Sequence, residues 1–203
     1  MKKNIEKKSD DTVASENGLQ RTVVLYLHDL VYLLGGILLA LLLVFRVVIV
    51  EGPSMNATLV DGDYLLLVSN VFYGEPEYGD VVVASKQSFK NGEPIIKRVI
   101  ATEGQVVDID FNAGIVYVDG MALDEPYTNT PTNLDEGINF PVTVKEGCVF
   151  VMGDNRNSSK DSRNPEIGQL DCREILGKAV FLIFPGNNDG KIVRDISRIG
   201  VVS

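Results

Sequence analysis

The chemistry of this chain starts from a serine without a usable histidine. Ser54 lies in Gly52-Pro53-Ser54-Met55, and a serine flanked by glycine and proline sits on a sharp turn with its hydroxyl and backbone N–H exposed. Such a serine can be a nucleophile if a neighbouring base takes its proton. The only histidine is His28, on the other flank of a membrane-length apolar run from Ser54, so the base must be a different side chain. Lys97 is the leading candidate. It stands in Ile95-Ile96-Lys97-Arg98-Val99-Ile100, two adjacent cations inside an apolar strand, and alternation sends the two to opposite faces so that one points inward. A lysine in apolar surroundings loses proton affinity, because desolvation penalises its ammonium form. A neutral amine can deprotonate a serine, the Ser-Lys variant of the nucleophile and base pair. A third stretch, Gly153-Asp154-Asn155-Arg156-Asn157-Ser158-Ser159-Lys160-Asp161-Ser162-Arg163, follows an apolar strand and packs charged and hydrogen-bonding groups into one loop. Carboxylate and guanidinium pairs there can fix an active-site wall, and a hydroxyl can orient the base. Taken singly, each stretch also reads as something plainer: a turn, an edge strand with both cationic heads in water, a solvated loop.

These residues need elements to hold them. Leu30 to Phe45 reads LVYLLGGILLALLLVF, and after Arg46 the apolar character continues to Val50. At about 1.5 Å per residue the run spans ~30 Å, the thickness of a bilayer's hydrocarbon layer. Arg46, near one end, can snorkel to the interface. The run shows no polar face, which argues against a buried core helix. It is long for the apolar region of a cleavable signal peptide, and VVIVEGPS after it contains no small-x-small site, so the reading is a permanent anchor. Lys2, Lys3, Lys7, Lys8 and Arg21 precede the run while Glu51 to Ser85 contains neither lysine nor arginine, which puts the N-terminus in the cytoplasm and the rest outside. Residues 1 to 20 are polar without an apolar period and are expected to form a disordered tail.

Beyond the anchor, short β-branched runs alternate with turn signals. Tyr64–Val68, Asp80–Ala84, Ile95–Ile100, Val106–Asp110, Ile115–Val118, Val142–Val144, Val149–Met152 and Ala179–Phe184 read as strands. Asp61-Gly62, Asn91-Gly92, Asp119-Gly120 and Pro185-Gly186 read as turns between them. Asp124 to Asn139, rich in Pro, Asn, Thr and acids, reads as an exposed loop. The expectation is a mainly β, antiparallel domain behind one transmembrane helix. A formal net charge of −9 over 203 residues argues against a nucleic-acid partner, which requires a basic footprint. Cys148 and Cys172 permit one disulfide without demanding it, no zinc spacing is visible, and no cofactor is expected.

Together the stretches closely resemble the bacterial type I signal peptidases, membrane-anchored serine proteases that remove signal peptides from exported preproteins. GPSMNATL resembles their nucleophile box, GDVVV at Gly79 to Val83 a structural strand, KRVI at Lys97 to Ile100 the base box, and GDNRNSSKDSR the closing box, in the family's order. The resemblance implies Ser54 as nucleophile and Lys97 as general base. It implies that Ser159 hydrogen-bonds and orients the lysine amine, and that Asp154 with Arg98, and Asp161 with Arg163, brace the site as ion pairs. The Ser54 N–H would be one oxyanion donor; some members add a serine two positions earlier, where this chain has Gly52. Met55 is expected in the wall of the substrate cleft, with an aliphatic core role equally open to it. The implied organisation is a cytoplasmic tail over residues 1–28, a transmembrane helix over 29–50 and an extracytoplasmic catalytic domain over 51–203, with a small cap at about 101–148.

There are departures. Ala57 stands where the nucleophile box often has proline, and Ala101-Thr102-Glu103-Gly104-Gln105 replaces Gly-x-Pro-Gly-Asp after the base box. Neither removes a chemical group, but both alter loops near the cleft. The expected partners are secretory preproteins with small residues before the cleavage site, and the lipid bilayer. A self-cleaving repressor-type Ser-Lys protease would be cytosolic with a DNA-binding N-terminus, unlike this anchored, acidic chain. A catalytically dead tethered module would not need both Ser54 and Lys97. Sortase-like transpeptidation needs a cysteine and histidine pair, and His28 is out of reach.

Overall fold

The structure, a computed structural model, describes residues 2–187 and 194–202, with only the backbone described for residues 2–20 and Lys90. The chain divides into two units, Met1–Leu43 and Val44–Ser203. The first is helical: α1 runs Lys2–Val44, and its segment Arg21–Val44 is long and apolar enough to cross a membrane. Two boundaries differ from the sequence reading. The expected disordered tail is helical from Lys2, because residues 2–20 contain many helix formers and no proline, and a helix nucleated in the apolar segment propagates at little cost per residue. The apolar run expected to continue as helix to Val50 instead changes at Val44 into strand β1, Phe45–Ile49. Its Val47-Val48-Ile49 core is β-branched and prefers the extended chain once a partner strand is present.

The second unit is antiparallel throughout. One sheet is ordered β1, β2 (Tyr64–Ser69), β11 (Ile175–Phe184), β3 (Val81–Ser85), β4 (Pro94–Ala101), β9 (Cys148–Met152) and β10 (Leu170–Asp171), with β12 (Gly200–Val201) added to β11. A smaller sheet is ordered β7 (Met121–Ala122), β6 (Ile115–Val118), β5 (Val106–Asp110) and β8 (Val142–Thr143). It falls inside the segment read as a cap. Val107, Ile109, Val116 and Val118 of the small sheet pack with Ile100, Phe150 and Met152 of the large one, so the cap shares a core with its base.

Strand β4 is the element on which the site depends. Val81 pairs with Arg98 and Val82 with Lys97, and these two valines belong to different core clusters. The alternation therefore places the two cations over different parts of the interior. Val82, Val99 and Val151 are completely buried around them. Each such side chain contributes ~1.5–3 kcal/mol, which offsets the cost of holding two cations on a core strand.

Candidate active site

Ser54 lies in the loop between β1 and β2. The loop is closed at its base by Val50 N–H to Asp63 O at 2.8 Å and Gly62 N–H to Val50 O at 2.9 Å. Inside it, Leu59 N–H donates to Met55 O at 2.9 Å, a single helical turn that drives Met55 and Leu59 into the core under the serine. Met55 is 1% exposed, which matches the core role of the two open to it rather than a place in a substrate wall. The reason is its neighbour: on a turn this tight, if Ser54 faces the cleft, the next side chain must face away, and Met55 fills the apolar space beneath.

Lys97 Nζ donates to Ser54 Oγ at 2.9 Å and to Ile96 O at 2.9 Å. The lysine is 4% exposed. The Ser54 hydroxyl and the Lys97 amine, far apart in sequence, are thus within direct proton-transfer distance. The closing loop completes the convergence: Asn155 N–H donates to Ser54 O at 3.1 Å, and Asn155 Nδ2 donates to Pro53 O at 3.0 Å.

Two buried ion pairs flank the pair. Arg98 grips Asp154 in a fork, Nε to Oδ1 and NH2 to Oδ2, both at 2.8 Å, and its NH1 donates to Gly79 O at 2.8 Å. Thr58, on the loop that carries Ser54, donates its hydroxyl to Asp154 Oδ2. Arg163 forks onto Asp161 at 2.9 and 2.8 Å, and Asp161 also accepts the Gly153 N–H at 3.0 Å. The fork geometry matches a carboxylate in two parallel bonds, which fixes the loop's orientation as well as its position.

Ser159 is at the site but does not make the expected bond. Its Oγ is buried and has no hydrogen-bond partner, while the lysine amine is directed at Ser54 Oγ and Ile96 O instead. Leaving a hydroxyl so costs ~1–3 kcal/mol. Its nearness follows from Gly153: a Cβ there would stand 2.2 Å from Ser159 Oγ and 2.5 Å from Ser54 O. Only glycine permits the three chain segments to close to this distance.

The sequence reading missed a third buried fork. Arg156, 1% exposed, donates to Glu125 Oε2 at 2.7 Å and to Glu125 Oε1 at 2.5 Å, and to Thr132 Oγ1 at 2.9 Å. Between Arg98 and Arg156 lies Tyr127, its ring centre 4.0 Å from the Arg98 guanidinium carbon and 5.9 Å from that of Arg156. Burial, and then the hydrogen bond with Tyr78, push the Tyr127 phenol far above its ordinary range, so it remains neutral. Asn157 Oδ1 accepts the N–H groups of Asn133 and Leu134, and Arg163 NH1 donates to Leu134 O at 3.0 Å. The segment read as an exposed loop is therefore strapped across the ion pairs. The signal was present only in composition: Glu125, Tyr127 and Thr132 have no fixed spacing from Arg156 that a motif could register.

Gly52, at the position of the second oxyanion donor in some signal peptidases, has its N–H occupied by Asp61 Oδ1 at 2.8 Å. The arrangement as a whole can carry out acyl transfer through a serine ester, with an amine moving the protons.

A sequence profile of the family described as signal peptidase, peptidase S26, matches residues 23–184. A probable signal peptidase I-1 of Synechocystis is 41% identical over 172 residues, covering 79% of this chain and 83% of its own. Signal peptidase I of Bacillus licheniformis is 36% identical over 163 residues, covering 75% and 85%. Signal peptidase I T of Bacillus subtilis is 36% identical over 163 residues, covering 75% and 82%.

Proposed function

Because this chain belongs to the signal peptidase family, peptidase S26, whose members remove signal peptides from preproteins, we propose that Ser54 is its nucleophile and Lys97 its general base. The chain is a serine endopeptidase of that kind. The observation that carries the residue assignment is the 2.9 Å bond between Lys97 Nζ and Ser54 Oγ inside a buried site.

In the proposed reaction neutral Lys97 takes the Ser54 proton as Oγ attacks the scissile carbonyl. The tetrahedral intermediate collapses with cleavage of the C–N bond, and the lysine ammonium protonates the departing amine. Water then attacks the ester, Lys97 takes its proton and returns it to Ser54. Burial favours the neutral amine needed at the outset. The Ser54 N–H is one donor to the oxyanion. Asp154 with Arg98 and Asp161 with Arg163 hold the closing loop against the nucleophile loop. Ser159 would take up the lysine amine when Ser54 Oγ is acylated; its unpartnered hydroxyl beside Gly153 supports that role.

The substrate would bind extended and add to a sheet edge. Pairing of β4 with β9 begins at Arg98, so the edge at Pro94–Ile96, directly before the base, is not taken by β9. Alternate side chains of the peptide would enter shallow pockets suited to small residues. Arg21–Val44 would anchor the chain in the cytoplasmic membrane with its basic N-terminal flank inside and residues 51–203 outside. Tethering would concentrate the enzyme where signal peptides emerge. The test is to incubate the detergent-solubilised protein with a preprotein and compare it with Ser54→Ala. Mature-length product from the wild type alone is expected; equal product from both would remove Ser54 from the mechanism.

A further inference from the structure

The loop that carries Ser54 is held from a third direction. Asp63, at the loop's return end, is fully buried and collects donors on both oxygens: Val60 N–H at 2.8 Å, Gly186 N–H at 2.6 Å, and the fork of Arg198, NH1 at 2.9 Å and NH2 at 2.7 Å. Arg198 NH2 also donates to Thr58 O at 3.2 Å. Thr58 is the residue whose hydroxyl meets Asp154. One guanidinium thus grips the loop at its far end and at the residue that docks on the Arg98–Asp154 brace. The Pro185-Gly186 turn presses on the same place: a Cβ at Gly186 would stand 2.1 Å from Asp61 O and 2.6 Å from Gly62 C, so only glycine fits between β11 and the loop. The segment bearing Arg198 is itself fixed. Its Asp195 side chain caps the 3-10 turn Ile196–Arg198, and Gly200–Val201 pairs with β11 at Phe181 and Leu182.

Arg198 lies beyond residue 184, where the family match stops. We propose that Arg198, acting through Asp63 and the Thr58 carbonyl, is a positioning residue for the nucleophile: it fixes the return limb of the loop so that Ser54 Oγ stays within proton-transfer distance of Lys97 Nζ. The inference rests on the Ser54–Lys97 reading. Three anchors then define the serine's position. Asn155 holds the entering limb at Pro53 and Ser54, Asp154 holds the Thr58 hydroxyl, and Arg198 holds the Thr58 carbonyl and Asp63. Loss of the third lets the loop shift without removing a group that touches substrate. A displacement of an ångström at a near-attack geometry can cost ~10²-fold in rate.

The experiment measures steady-state cleavage of a preprotein by the full chain in detergent, with Arg198→Ala, Arg198→Lys and Arg173→Ala compared with wild type. Arg173 pairs with Asp171 at the surface, away from the loop, and serves as the arginine control. Arg198→Ala is expected to lower kcat tenfold or more with KM within about twofold, in protein whose circular dichroism and melting midpoint show it folded at the assay temperature. Arg198→Lys keeps the charge but loses the fork, and is expected to recover part of the rate. Folded Arg198→Ala with wild-type kcat overturns the proposal, as does a loss carried by KM alone. If Arg198→Ala does not fold, Arg198→Lys decides: a kcat lowered threefold or more in folded protein supports the clamp, and an unchanged kcat overturns it. Absence of cleavage by wild type and control alike would count against the proteolytic reading itself, which separates the two failures.

Discussion

Lys97 and Arg98 are neighbours on one strand and are both almost fully buried, yet they are held in opposite ways. Arg98 is met by a carboxylate in a bidentate fork, a backbone carbonyl and the face of Tyr127. The bonds of Lys97 Nζ to Ser54 Oγ and Ile96 O go to neutral oxygens. A guanidinium keeps its proton wherever it is placed, so burying it is tolerable only with a counter-charge. An ammonium can give its proton up, and burial works against its charged form. On the proposed assignment the same strand supplies one cation as structure and the other as chemistry.

Exchanging the two roles is the largest test. Lys97→Arg keeps the charge and removes the base, and with Ser54→Ala it is expected to lower cleavage by at least ~10³, since losing a member of a nucleophile and base unit removes most of the acceleration. Gel assay of preprotein processing measures this, and near-normal turnover in Lys97→Arg would break the contrast. Arg98→Met should act on stability: it leaves Asp154 buried without its guanidinium and is expected to cost ~3–5 kcal/mol in urea unfolding of the folded domain. Arg98→Met with Asp154→Leu removes both charges, and most of the loss should return. If the double variant is as unstable as the single one, the Arg98 site is held by more than the pair. Glu125→Gln weakens the third fork and should cost ~1.5–3 kcal/mol by the same measurement.

How far the sequence reveals this division can be judged from particular residues. The large strands fall where alternation and turn signals put them, since a half-buried strand writes its burial into a period of two. β7, β10 and β12 have two residues each and carry no period. The end of the anchor is misplaced because Val47 to Val50 is equally apolar as helix or strand, and pairing with β2 decides it. Ser54, Lys97, Asp154, Arg98, Asp161 and Arg163 are legible because they occupy dense local motifs. Glu125, Asp63 and Arg198 are not: each stands outside those motifs, and its partner lies far along the chain. Met55 and Ser159 turn on one side-chain direction each, which is invisible in sequence.

The smallest predicted effect tests whether a brace must match its charges. Arg98 has one carboxylate in its fork, but Arg163 has two nearby, Asp161 in the fork and Glu136 beside it, with Glu136 Oε2 buried and unpartnered. Burial, and then the Asp161 charge, push the Glu136 carboxyl above the usual range despite the Arg163 guanidinium. With the folded-state value raised, the native state holds its proton more tightly than the unfolded chain, so ionising Glu136 opposes folding. The penalty is complete above the folded value and disappears as pH falls below the unfolded one, ~4.3. Glu136→Gln removes it, and should raise the melting midpoint at pH 7 by an amount worth less than ~1 kcal/mol. The gain should be smaller at pH 4, where the wild-type side chain is largely protonated as well, than at pH 7. A gain that is constant with pH would assign the effect to packing, and a loss at pH 7 would mean that Glu136 serves the Arg163 brace as a second counter-charge.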